Sequence, residues 1–89
     1  ARPGDPPPGG WRERFAVTRG RRTELVPVAH VERLEADDNY VALHTPTGRH
    51  LVRHTLRALE RELDPAVWVR VHRSTMVRRE RVRAVVSRP

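Results

Sequence analysis

Val67-Trp68-Val69-Arg70-Val71-His72-Arg73-Ser74-Thr75-Met76-Val77 is the stretch that decides the fold. Successive side chains of a strand point to opposite faces, so this segment sets Val69 and Val71 on one face and Trp68, Arg70 and His72 on the other. The valine face is the one expected to be buried. The alternation lapses at Arg73-Ser74-Thr75 and resumes with Met76 and Val77, which predicts a strand, a short turn and a returning strand. Arg73 then stands at an exposed tip. A guanidinium there, backed by Arg70 and His72, suits an anionic partner better than a core.

Eighty-nine residues hold one small domain with a modest core. Thirteen Val and seven Leu, with no Ile and four aromatics, favour strands over long helices. The net charge is +7, and every one of the 18 basic side chains is Arg. Arg carries a planar, always-charged fork that binds phosphate in bidentate fashion, so an arginine-rich chain points toward a polyanion such as nucleic acid. Absence of Lys, Ile and Gln beside abundant Arg, Ala, Pro and Val also fits a GC-rich coding bias, which would place Arg in solvated positions whatever the function. Without cysteine there is no disulfide framework, thiolate metal site or thiol nucleophile, which is compatible with a cytoplasmic location. No apolar run approaches the ~20 residues of a membrane span.

Residues 1–10 (ARPGDPPPGG) are expected to form an extended linker, with residues 11–89 as the domain it carries. A start at Ala1 without a basic-then-apolar leader suggests a piece of a longer protein with a module upstream. A first strand is predicted over residues 11–18, a basic turn at Arg19-Gly20-Arg21-Arg22, and a second strand over residues 23–28 that Pro27 confines to an edge or a bend. Residues 29–36 suggest a single turn passing into a strand. Asp37-Asp38-Asn39 is a turn signal between that strand and residues 40–44. A further turn at Thr45-Pro46-Thr47-Gly48 and a strand over residues 49–53 complete a hairpin. One helix stands out over residues 55–63, with Thr55 as N-cap, Leu56, Leu59 and Leu63 as its apolar stripe, and Asp64-Pro65 as its stop. Residues 82–86 (VRAVV) are expected to be a last strand after a charged turn.

Catalytic chemistry is weakly supported. Glu32, Glu35, Asp37 and Asp38 form the densest carboxylate cluster, but metal-assisted phosphodiester cleavage also wants a Lys or well-placed His beside the phosphate, and Lys is absent. His44, His50 and His54 offer three imidazoles across the hairpin in a spacing that fits no tight zinc pattern. Neither a strained nucleophile turn nor a glycine-rich phosphate loop is present. The expectation is a protein that is not an enzyme and needs no cofactor.

Three motifs then converge. Glu35-Ala36-Asp37-Asp38-Asn39-Tyr40-Val41, Leu51-Val52-Arg53-His54-Thr55-Leu56 with Leu59-Glu60 and Leu63, and Val69 through Val77 resemble, in order and spacing, the LytTR-type DNA-binding domain of LytR/AlgR-class bacterial response regulators. The likeness runs over residues 15–86. It implies a mainly β fold, an elongated stack of small antiparallel sheets with one short α-helix. It also implies binding of double-stranded DNA through loops that enter successive major grooves, usually at direct-repeat promoter sites occupied by a dimer.

The resemblance carries DNA contact to two turns, Asn39-Tyr40 and His72-Arg73-Ser74. Arg73 is expected to read guanine and Asn39 adenine, with Arg70 and Ser74 on phosphates. Arg70 and His72 have an equally good reading as strand residues bracing the loop. Arg78 stands where family members commonly carry Asn, a departure expected to change how the turn is tied or to add a phosphate contact. The family continues into another DNA-contacting hairpin, so a chain ending at Pro89 is expected to lack it. The implied role is the output domain of a two-component transcriptional regulator, joined to an upstream receiver or sensor. The competing reading is a basic, β-rich interaction module for protein or RNA.

Overall fold

The computed structural model describes residues 5–86, with side chains through Val82. Residues 5–10 of the expected linker form no regular element beyond a turn in which the Gly10 N–H donates to the Pro7 carbonyl (2.8 Å). Residues 1–4 lie outside the described part.

Seven strands follow: β1 (Arg14–Arg19), β2 (Arg22–Pro27), β3 (Arg33–Asp37), β4 (Tyr40–Thr45), β5 (Gly48–Val52), β6 (Trp68–His72) and β7 (Thr75–Arg78). A 3-10 turn, Val28–His30, links β2 to β3, and helix α1 (Leu56–Glu62) links β5 to β6. β1 and β2 form an antiparallel pair, while the other five make an antiparallel sheet in the order β5-β4-β3-β7-β6. Extents of 47 × 33 × 23 Å give the molecule an elongated outline.

Short turns set the registers. Arg19 pairs with Arg22 across Gly20-Arg21, and Gly20 has φ +60°, the conformation a two-residue hairpin needs at its first central position. Asp37 pairs with Tyr40 across Asp38-Asn39, with Asp38 at φ +57°; Asp is among the few side chains that tolerate this region.

One line of pairing runs through His50, Leu43, Leu34, Met76 and Arg70. Directly opposed residues share a face, and Leu34, Leu43 and Met76 are almost wholly buried, so this line marks the core side of the sheet. Phe15, Val17 and Val26 from the β1–β2 hairpin and Leu56, Leu59 and Leu63 from α1 complete the core. α1 forms where its sequence signals place it. The Thr55 hydroxyl accepts from the Ala58 N–H (3.1 Å), and the three leucines at i, i+3 and i+7 turn inward. Asp64 then turns the chain: its carboxylate accepts from the Ala66 N–H (2.9 Å), and its carbonyl from those of Val67 and Trp68.

Three expectations are corrected. β6 buries the opposite face, with Trp68 only 3% exposed and Val71 49% exposed. Trp68 and Arg70 pair with Arg78 and Met76, so register with the buried Met76 decides the face, and burying the large indole outweighs burying two valines. Residues 82–86 belong to a second helix, α2 (Arg79–Val86), rather than a strand. Their β-branched run suggested a strand, yet Val82, Val85 and Val86 also stand at i, i+3 and i+4, and Glu80 suits the first turn of a helix. β1 starts at Arg14, because Arg12 is drawn to α1: its N–H donates to the Glu62 carbonyl (2.8 Å) and its guanidinium pairs with the Glu62 carboxylate (2.6 Å).

Leu34→Ala should cost about 2–5 kcal/mol of unfolding free energy, and Thr55→Ala about 1 kcal/mol. Urea unfolding measures both; a Leu34→Ala loss no larger than that of the cap variant would contradict this account of the core.

Candidate nucleic-acid interface

β3 runs antiparallel to both β4 and β7. The β3–β4 turn, the β6–β7 turn and the exit of β5 therefore lie at one end of the sheet. The Ala36 N–H donates to the Ser74 carbonyl (2.8 Å), tying the two turns together. Their centres are two strand spacings apart, roughly 10 Å. The β3–β4 turn projects beyond its neighbour, because Asp38 lies two residues past the bonded Ala36.

Asn39, Tyr40, His72 and Arg73 are exposed at this end, with Ser74 half-buried. The side chains of Asn39 and Arg73 make no hydrogen bond or ion pair among the described residues. His72 braces its turn, with Nδ1 2.8 Å from the Ser74 hydroxyl and accepting from the Ser74 N–H (3.2 Å).

Arg70 is half-buried and engages the protein itself. One arm of its guanidinium pairs with the Glu60 carboxylate on α1 (2.7 Å), and the other donates to the Arg73 carbonyl. Its Nε–H is buried without a partner, a cost of about 1–3 kcal/mol that the two outer bonds offset. Arg78 likewise engages the protein itself, an arrangement that suits tying the chain rather than a phosphate contact. Its Nε donates to the Val31 carbonyl (3.0 Å), and one terminal nitrogen donates to those of Val28 (2.9 Å) and Ala29 (3.1 Å). The guanidinium lies 4.9 Å over the Trp68 ring. It bolts the β6–β7 hairpin to the 3-10 turn and the residue that follows it.

Arg53, which the sequence shows only as part of a motif, and Arg57, which it places on the solvated face of the helix, join the candidates. Both are exposed and unpaired among the described residues, and both follow the exit of β5 at the same end of the sheet. Arg53 shares with Tyr40, Leu51 and His54 a groove of about 440 Å³. The signal was available: the hairpin register places the residue after Val52 beside Tyr40.

The other candidate sites come apart. His44 and His50 are adjacent to opposed partners one step apart in register, so they point to opposite faces. His44 pairs with Glu35 (3.1 Å), His50 Nδ1 accepts from Arg19 (2.5 Å), and His54 pairs with Glu62 (3.3 Å). Among the carboxylates, Asp37 pairs with Arg49 (2.5 Å) and Glu32 lies 3.8 Å from Arg81. Among the described residues no cluster of three or more His, Asp or Glu side chains is placed to hold a metal. No described helix is long and apolar enough to cross a membrane.

Arg78→Met should therefore cost about 1.5–3 kcal/mol of stability, while Arg73→Ala should stay within about 0.5 kcal/mol of the parent. Parallel denaturant titrations distinguish the inward arginine from the outward one; equal effects would contradict the assignment.

The model of the LytTr DNA-binding domain matches residues 21–89. The CO-responsive transcriptional regulator RcoM of Rhodospirillum rubrum is 41% identical over 83 residues, covering 93% of this chain and 35% of that protein. The positive alginate biosynthesis regulatory protein of Pseudomonas aeruginosa is 34% identical over 80 residues, covering 90% and 32%. The chain thus spans about a third of the length of these relatives. The fold is similar to the solved LytTr DNA-binding domain of a Bacillus cereus methyl-accepting/DNA response regulator. That match has a TM-score of 0.67 and 22% identity, and covers 75% of this chain and 62% of that one.

Proposed function

The chain belongs to the LytTr DNA-binding domain family, and from that premise we propose that it is the sequence-specific output domain of a bacterial transcriptional regulator. Both curated relatives carry regulatory names, which supports the role. The observation that carries the reading is the unpaired state of Arg73 and Asn39 on two turns tied together at one end of the sheet. Arg73 is braced through its carbonyl while its guanidinium stays available, a fit to bidentate reading of guanine O6 and N7. Asn39 has the donor and acceptor pair that reads adenine. Tyr40, Ser74, Arg53 and Arg57 flank them as backbone contacts that hold register. Arg70, His72 and Arg78 act by holding the loops and leave the set of direct contacts.

Turns roughly 10 Å apart cannot each occupy a separate major groove, since successive grooves are about 34 Å apart. Asn39 and Arg73 therefore address one stretch of duplex within a single helical turn. A second protomer on a neighbouring direct repeat would engage the next stretch. Residues 1–10 would tether the domain to an upstream receiver or sensor in the cytoplasm, and dimerisation of that module would raise the local concentration of the second domain over its half-site.

Selection of bound duplexes from a random pool, run beside Arg73→Ala and at two salt concentrations, tests the reading. The expected outcome is an enriched motif in direct repeat whose preference at one position relaxes by about 1–3 kcal/mol in the variant, with affinity falling steeply with salt. A folded domain that enriches no motif would overturn it.

A further inference from the structure

We infer that Glu60 is a positioning residue for DNA recognition, acting through Arg70 on the backbone of Arg73; this rests on the reading of the Arg73 turn as a base-contacting loop. Regular pairing of β6 with β7 does not fix that turn. The ladder is broken by a register shift between Arg70 and His72, so Arg70 opposes Met76 and His72 opposes Thr75, with Val71 left out. Such a bulge bends a strand and loosens the geometry beyond it. The residues on either side of Arg73 have their own ties: His72 and Ser74 bond each other, and the Ser74 carbonyl accepts from Ala36 on β3. For Arg73 itself, the bond from Arg70 to its carbonyl is the tie among the described residues. That bond orients the peptide after Arg73, and with it the direction in which the free guanidinium leaves the turn.

Arg70 needs an anchor of its own to hold this position. Its planar fork is shared between two partners, and the Glu60 carboxylate on the solvent side of α1 fixes the second arm. α1 is in turn fixed by its three buried leucines and the Thr55 cap. The path from rigid core to recognition turn is thus Glu60 to Arg70 to the Arg73 carbonyl. Lys at position 70 would keep the charge but could not hold both partners with one planar group.

The sign of the effect separates positioning from plain electrostatics. Removing an acidic charge from a basic protein should tighten binding to any duplex. Removing a positioning residue should weaken binding to the preferred site alone.

The experiment uses the full chain with Glu60→Gln, Arg70→Lys and Arg73→Ala. Glu13→Gln serves as the charge-matched control, since Glu13 is exposed and its side chain is unpaired among the described residues. Binding is measured to a selected duplex and to a scrambled one, with thermal melting alongside. Glu60→Gln is expected to lower the ratio of specific to scrambled affinity by about tenfold, to relax the same base position as Arg73→Ala, and to melt within about 2 °C of the parent. Arg70→Lys should reproduce the loss of discrimination. If Arg73→Ala loses discrimination while Glu60→Gln and Arg70→Lys behave like Glu13→Gln, the positioning role is overturned and the DNA reading stands. If Arg73→Ala itself leaves discrimination intact, the base-contact reading falls, and the positioning role with it.

Discussion

Three residue pairs join the halves of the five-stranded sheet: Arg33 with Val77, Leu34 with Met76, and Glu35 with Thr75. Everything at the loop end of the sheet depends on this short ladder. Each hairpin is local and forms its own turn, but nothing in either hairpin says where the other turn lies. Antiparallel pairing of β3 with β7 places both turns at one end, and the bond from Ala36 to Ser74 continues the ladder beyond the last pair. The central pair is also the centre of the core, with Leu34 fully buried and Met76 nearly so. Burial and loop placement are therefore one constraint, because a slip of one residue would expose Leu34 and separate the turns together.

Arginine does two different jobs in this chain. Arg12, Arg19, Arg49, Arg70, Arg78 and Arg79 are spent on carboxylates, an imidazole or backbone carbonyls of the protein itself. At half-buried Arg12, Arg70 and Arg78 the guanidinium bridges two or more acceptors at once, because its donors are fixed in a plane. Arg53, Arg57 and Arg73 remain unpaired among the described residues and exposed at the loop end. The unengaged positive charge is thus smaller than the formal charge of the sequence suggests.

Helix α1 gathers several of these ties on two carboxylates. Glu60 holds Arg70 beneath the β6–β7 turn, while Glu62 pairs with Arg12 at the start of the domain and with His54 just before the helix cap. A helix of two turns has little stability of its own; its leucines and its cap hold it in place. It thereby gives a fixed footing to segments that regular sheet pairing leaves loose.

Much of the fold was legible in the sequence because it rests on local chemistry. Asp38-Asn39 and Gly20-Arg21 are turn residues where the backbone needs them, Thr55 is a cap with leucines at helical spacing behind it, and the alternating segments became strands close to their expected limits. The exposed, unpaired tip at Arg73 was legible for the same reason. Long-range packing decided the rest. Alternation in β6 defines two faces but cannot say which is inward; pairing with Met76 chose the side of Trp68. The run from Val82 to Val86 satisfies both a strand and a helical period, and the helix prevailed. Nor does a sequence say where a guanidinium goes, since the acceptors of Arg78 lie 47 to 50 residues away and those of Arg70 belong to a helix and a turn. Side-chain type sets which bonds are available, and the folded chain alone brings their partners within reach.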